Sequence, residues 1–341
     1  MKQIKTEDAV GQVLCHDVTQ IIKGVSKDAL FRKGHVITES DIPLLLDLGK
    51  EHVYIWEDNA DMLHENDAAE ILCELCRNDF MRVTGPKEGK IELIAETDGI
   101  LIVRTGRLRE VNALGEMMIA TRASGSVVKK GEKLCGTRII PLSIEKKKMD
   151  QARIAAASQP LLKLLPIKQK KYGLINTGNE LFYGRIKDTF SPVIQEKLAP
   201  YGCEMTTNVA LEDNHENITA AIKGILNSGA KMVICTGGMS VDPDDNTPLA
   251  IKNAADKVVS YGTPVLPGSM FMLAYMEDGT PVCGLPGCVM YCKRTIFDIV
   301  LPYLLADMPI TAQWLAELGN GGLCLECDNC SYPNCQFWKG I

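Results

Sequence analysis

The residues of this 341-residue chain with the types and spacing to do chemistry fall into two groups: glycine loops carrying carboxylates, and a C-terminal run of cysteines. In the first group stands Thr236-Gly237-Gly238-Met239-Ser240-Val241-Asp242-Pro243-Asp244-Asp245-Asn246-Thr247. It follows the continuously apolar Met232-Val233-Ile234-Cys235, the pattern of a strand buried in a parallel sheet, and precedes Thr247-Pro248, an N-cap and a first-turn proline. The loop therefore sits at the carboxyl end of a strand, where open α/β sheets bind ligands. Gly237 and Gly238 let backbone N–H groups approach an anionic group. The plain alternative is a surface βα turn. The acidic residues ending at Asp245 argue against it, because carboxylates beside an anion-holding loop call for a cation such as Mg²⁺ or take part in the chemistry.

Three more loops share this character. Thr177-Gly178-Asn179-Glu180 leads to Asp188; Leu266-Pro267-Gly268-Ser269 and Gly284-Leu285-Pro286-Gly287 place glycine where backbone comes near something. Each is weak alone, but turns that merely connect elements have no reason to collect glycine and carboxylate at one edge. The second group, Cys324, Cys327, Cys330 and Cys335, has C-x2-C-x2-C-x4-C spacing. Four thiolates can close a tetrahedral zinc site or hold an iron–sulfur cluster, and three close cysteines with a proline-containing fourth step lean towards the cluster. Four unrelated thiols are the alternative. Cys73 and Cys76 also form C-x-x-C, but on a helix that spacing puts two small apolar side chains on one side, and packing is the reading. Cys283, Cys288 and Cys292 are read as packing residues too, with Cys288 set apart because it stands in place of a site residue.

The elements that must position these groups follow from pattern. With 46% hydrophobic and 23% charged residues the chain is globular, and its formal net charge of −6 argues against non-specific nucleic-acid binding. Thirteen cysteines with no apolar N-terminal signal core point to reduced thiols or metal ligands in a cytoplasmic protein with no membrane segment. Four regions are expected: a small α+β unit over 1–60, a β-rich head over 61–165, an α/β domain over 166–310 and a Cys-rich metal-binding tail over 311–341. The first closes with a helix capped by Ser40 and a strand Val53-Tyr54-Ile55-Trp56. The head carries helices over 66–83 and about 149–165. After Lys171 strands and helices alternate, giving a parallel sheet with mixed edges sandwiched by helices, with a last helix over 288–305.

Taken in order, Asn176-Thr177-Gly178-Asn179-Glu180-Leu181, Lys187-Asp188-Thr189, Thr236-Gly237-Gly238-Met239-Ser240-Val241 with Asp245, Pro267-Gly268 and Gly284-Leu285-Pro286-Gly287 resemble the molybdopterin-binding domain of molybdenum-cofactor biosynthesis proteins. The match is to the molybdopterin molybdenumtransferase family that includes the gephyrin E domain, over roughly 171–308; the N-terminal part resembles the family's head domain. The resemblance implies insertion of molybdate into adenylylated molybdopterin with release of AMP, in a homodimer that hands its product to a recipient molybdoenzyme. It implies Asp188 and Asp245 as functional carboxylates organising molybdate or Mg²⁺, and Gly237, Gly238 and Ser240 as holders of anionic oxygens, with Thr177, Gly178, Asn179, Glu180, Thr236, Pro267, Gly268, Ser269, Gly284, Pro286 and Gly287 completing the pterin site. The chain departs from the family: Asn179 stands where an acidic residue is usual, Ser269 where a lysine is expected, and Cys288-Val289 replaces Asn-Pro. Loss of that lysine removes a charge-assisted contact of up to about 3 kcal/mol. The family's C-terminal β-barrel is expected to be absent. Two other readings remain: a non-catalytic molybdopterin carrier for an anaerobic molybdoenzyme, and a nucleotide hydrolase of the competence-damage type, suggested by Pro243-Asp244-Asp245-Asn246-Thr247.

Overall fold

A computed structural model describes residues 2–22, 26–55, 60–243 and 245–339. Trp56 and Asp244 lie outside the described residues. The chain divides into two compact units, one made of Met1–Thr97, Leu101–Ser124 and Lys129–Leu164, the other of Asp98–Ile100, Gly125–Val128 and Leu165–Ile341.

In the first unit a helix, Glu65–Cys76, packs on a four-stranded sheet ordered Met81–Val83, Ile91–Ala95, Lys133–Ile139, Met117–Thr121. Its buried face carries Ala69, Leu72, Cys73 and Cys76, so the C-x-x-C thiols sit in packing. Cys76 and Cys135 are buried against each other, which drives the Cys76 thiol well above its ordinary range. The helix is shorter than periodicity suggests. It stops at Cys76 because residues 81–83 pair with the sheet instead, Met81 opposite Ala95, after Phe80 turns the chain at φ 63°. The helix expected to end near 165 is likewise Lys146–Ala156, followed by a strand, Leu162–Pro166. Pro160 cannot continue a helix, and Ala157 leaves it at φ 60°. Ser40 makes no capping bond; Asp41, the first helical residue, instead accepts from Thr38 N and Oγ1, both at 2.8 Å, and ties the helix start to the turn before it.

In the second unit six strands form one sheet: β1 (Lys171–Thr177), β2 (Glu204–Leu211), β3 (Val233–Thr236), β4 (Lys257–Tyr261), β5 (Met272–Tyr275) and β6 (Pro281–Leu285), ordered β2-β1-β3-β6-β5-β4. The first four are parallel and the last two antiparallel, the mixed edge that the alternation after Lys171 implies. The helices are α1 (Phe190–Leu198), α2 (His215–Asn227), α3 (Thr247–Ala254) and α4 (Ile296–Leu305). Ile218, Ile222 and Ile225 of α2 recur at helical spacing and pack on Ile175, Val233 and Cys235 of the central strands. Asn214 caps α2, accepting from Glu216 N and Asn217 N.

The last helix does not begin at Cys288. A short 3₁₀ turn spans Gly287–Met290, and α4 starts after Thr295 in a capping box: Phe297 N donates to Thr295 Oγ1, and Thr295 N donates to the Asp298 carboxylate at 2.8 Å. Lys197 Nζ (2.8 Å) and Arg294 (2.9 Å) also converge on Asp298, which is nearly buried.

Register brings the four glycine loops to one edge. Asn176 lies opposite Thr236, Thr236 opposite Leu285, and Met272, at the start of β5, opposite Gly284.

Candidate functional site

The edge is organised from Asn176, fully buried near the end of β1. Its amide Nδ2 lies within hydrogen-bond reach of Ser191 Oγ (2.9 Å), Asn208 Oδ1 (3.1 Å) and Asp188 Oδ2 (3.2 Å), and its Oδ1 accepts from Thr236 Oγ1 at 2.6 Å. Asp188 is therefore inside a network. Its Oδ1 accepts from Phe190 N and Ser191 N, both at 3.0 Å, and its Oδ2 accepts from the Ser191 hydroxyl. This is helix capping of α1. Burial alone would raise the Asp188 carboxyl, but the bonds from Ser191 and its neighbours outweigh that and hold it below the usual carboxylate range. The family resemblance implies Asp188 and Asp245 as the functional carboxylates; in the structure the Asp188 carboxylate orders the first turn of α1.

The carboxylate beside Asp245 is Asp213, which the sequence reading missed. It is the second residue after β2, and its Oδ1 is buried with no hydrogen-bond partner among the described residues. Burial pushes this carboxyl above the ordinary range; Asp245 and Glu180 push it further, and the nearby Thr177 hydroxyl offsets only part. That hydroxyl is already engaged with Thr236 O (3.2 Å) and Thr247 Oγ1 (3.0 Å). Asn179 Oδ1 lies 3.4 Å from Asp213 N, and Asn246 Nδ2 donates to Asp213 O at 3.0 Å, so both flanking loops hold this residue. The missed signal was positional: Glu212-Asp213-Asn214 occupies the same strand-end edge that singled out Asp188 and Asp245.

The glycine pair fits under these groups. Gly237 has φ 83°, and a Cβ there would lie 2.1 Å from Thr177 O; at Gly238 it would lie 2.8 Å from Asp213 Oδ1. The N–H groups of Gly238 and Met239 donate no hydrogen bond among the described residues. Ser240 N donates to Asp245 Oδ2 at 2.6 Å, so the loop closes on its own carboxylate. Tyr261 of β4, also unanticipated, donates from its hydroxyl to Met239 O (3.0 Å) with Ser240 O close by (3.2 Å) and ties the loop down.

The remaining expected residues divide. Gly178 is buried at the end of β1, its N–H donating to Leu211 O, while Glu180 is exposed. Gly284 lies within β6, fully buried, where a Cβ would meet Met239 Cε at 2.5 Å: it makes room for the loop's anchor and does not itself face the edge. Gly268 is similarly pressed against Ile296, 2.6 Å from a Cβ position, and Pro267 O accepts from Ile296 N. Ser269 and Gly287 are exposed at the edge, and Pro286 is buried.

Residues 173–306 match the family described as "Probable molybdopterin binding domain". The match takes in the six-stranded sheet and the loops at its edge. Residues 3–57 match a domain of unknown function. A molybdopterin molybdenumtransferase of Synechococcus elongatus is 25% identical over 197 residues, 54% of this chain and 46% of that protein. A relative described as competence-damage inducible in Bacillus mycoides is 31% identical over 93 residues, covering 27% of this chain and 22% of that protein. The chain thus spans less than half the length of these curated relatives. Among solved structures, a tungsten cofactor synthesizing protein from Pyrococcus furiosus aligns at 23% identity and TM-score 0.32, over 40% of this chain and 89% of that one. A molybdopterin biosynthesis protein from Mycobacterium abscessus aligns at 18% identity and TM-score 0.34, over 41% and 92%.

Beside the Pro267 loop of this edge the C-terminal tail lines a cavity of about 510 Å³. Cys324, Cys327, Cys330 and Cys335 all line it, as does Cys292, which is therefore not simply a packing residue. Cys292 Sγ donates to Glu326 Oε1 at 3.8 Å. No three His, Cys, Asp or Glu side chains among the described residues are arranged to hold a single metal ion. No helix among the described residues is long and apolar enough to cross a membrane.

Proposed function

We propose that the molybdopterin-binding domain inserts molybdate into adenylylated molybdopterin and releases AMP. The observation that carries this reading is the buried, unpartnered Oδ1 of Asp213, set beside Asp245 and against the Gly237–Gly238 loop. A carboxylate oxygen left without a partner in such a place suits a cation. Mg²⁺ is held by one or two carboxylates plus substrate phosphates and needs no complete protein cage. Asp213 and Asp245 are the residues that would hold it, and bound there it would neutralise charge on a phosphoanhydride. The backbone N–H groups of Gly238 and Met239 would receive an anionic oxygen. Asp188 and Asn176 hold the end of β1 and the start of α1 in position for that work. Ser269 supplies a hydroxyl where a lysine is expected, so anion binding rests on the loop amides and the cation.

The test is AMP release from adenylylated molybdopterin with molybdate and Mg²⁺. Release that falls at least a hundredfold in Asp245→Asn and Asp213→Asn supports the reading. Pterin binding with no AMP release in the parent protein would show a carrier instead. The resemblance to competence-damage proteins makes nucleotide pyrophosphate hydrolysis without pterin a third outcome, and it too would overturn the proposal.

A further inference from the structure

The tail is a built structure. Leu266 N donates to Gly322 O (2.9 Å), Cys324 N donates to Leu266 O (2.8 Å), and Leu266 and Leu323 form a parallel bridge. Tyr332 OH donates to Asp298 O (3.0 Å), Lys293 Nζ donates to Asp328 O (2.7 Å), and Phe337 and Trp338 are buried. The cysteines are thus held around a cavity by a fixed wall.

The spacing allows two metal chemistries, and the size and charge of the cavity bear on the choice. A single zinc ion draws four sulfurs to about 2.3 Å from one point. Here the four cysteines are among the residues lining a space of about 510 Å³, which has room for a group larger than one ion. A cluster bonds each thiolate to a different iron and fills the space between them. The cavity also carries positive charge for an anionic cluster: Lys293 and Arg294 line it, and Arg294 interacts with Cys330 while its Nε has no partner among the described residues. Cations and N–H donors around cluster sulfurs stabilise and tune such groups.

We propose that Cys324, Cys327, Cys330 and Cys335 ligate an iron–sulfur cluster of the four-iron type in this cavity, with Cys292 held aside by Glu326 as a wall residue. The site is independent of the pterin reading, although Pro267 belongs to both the cavity wall and the edge loop. The test is anaerobic purification of the full chain, followed by iron and acid-labile sulfide analysis, an absorption spectrum and electron paramagnetic resonance after dithionite. About four irons and four sulfides per chain are expected, with a visible charge-transfer band that bleaches on reduction. Cys327 and Cys330 are exposed, so Cys327→Ser and Cys330→Ser leave the packing intact; each should lower iron and sulfide content at least fivefold while circular dichroism is unchanged. Cys292→Ser should retain the spectrum. One zinc per chain without sulfide, iron that persists in a variant with all four ligands replaced by serine, or no metal after reconstitution with ferrous iron and sulfide would each overturn the proposal.

Discussion

Asp213→Asn should make the protein more stable and less able to use Mg²⁺. In the folded chain the Asp213 carboxyl carries a buried oxygen with no donor and faces Asp245 and Glu180. Leaving such an atom unsatisfied costs about 1–3 kcal/mol, and because the residue is only half-buried the low end, about 1 kcal/mol, applies. Asp213→Asn keeps a polar atom there but removes the charge that burial, Asp245 and Glu180 all disfavour, and a gain of about 1 kcal/mol raises Tm by about 2–4 °C in a unit of this size. The pH dependence follows from the direction of the shift. A carboxyl whose folded pKa is raised keeps its proton longer in the native state than in the unfolded chain. Wild-type stability therefore falls as pH rises from the ordinary carboxylate value through the raised one, and the amide variant escapes this fall. The gain should be small at pH 4 and full at pH 8, read by thermal unfolding with a buffer series. Mg²⁺ at ten times its Kd should add about 1.4 kcal/mol to the wild type and much less to the variant. A Tm difference that is equal at pH 4 and pH 8, or a variant less stable than wild type at pH 8, would refute the assignment of a strained cation-seeking carboxylate.

Other predictions address the groups around it. Asp188→Ala should cost about 1–2 kcal/mol as a lost helix cap, measured by urea unfolding at pH 7. Because this carboxyl is depressed, its contribution is complete above the ordinary carboxylate pKa and is lost as pH falls through the depressed one, so the penalty should shrink in acid. Tyr261→Phe should lose about 1 kcal/mol and speed proteolytic cleavage within residues 239–243, since the hydroxyl tethers Met239 O and Ser240 O; an unchanged cleavage rate would remove the tether. Lys197→Met should lower stability by about 3 kcal/mol, because Asp298 would remain buried with one of its two cations gone. An unaffected Tm would show that Arg294 alone suffices.

Much of this domain was legible in the sequence because strand, loop and helix alternate after Lys171, and register then puts Thr177, Thr236 and Leu285 at one edge. Side-chain partnerships were less legible. Nothing in residue type distinguishes Asp188, whose carboxylate is taken up by the Ser191 hydroxyl and two backbone amides, from Asp213, whose Oδ1 has no partner among the described residues. That difference comes from where α1 and α2 start. Helix ends failed for a related reason: residues 81–83 are helical by local pattern, but pairing with Ile91–Ala95 wins. The start of α4 was placed too early, at Cys288, although the capping box Thr295-Ile296-Phe297-Asp298 that sets it stands in the sequence.

The bridge between Leu266 and the tail sets a limit on trimming. A chain shortened to the family-matched residues 173–306 would strip Leu266 of both backbone partners and Asp298 O of the Tyr332 hydroxyl. The smallest independently stable fragment of this protein should therefore be longer than its family boundaries, and hydrogen exchange at Leu266 and Cys324 should slow and quicken together as one opening unit.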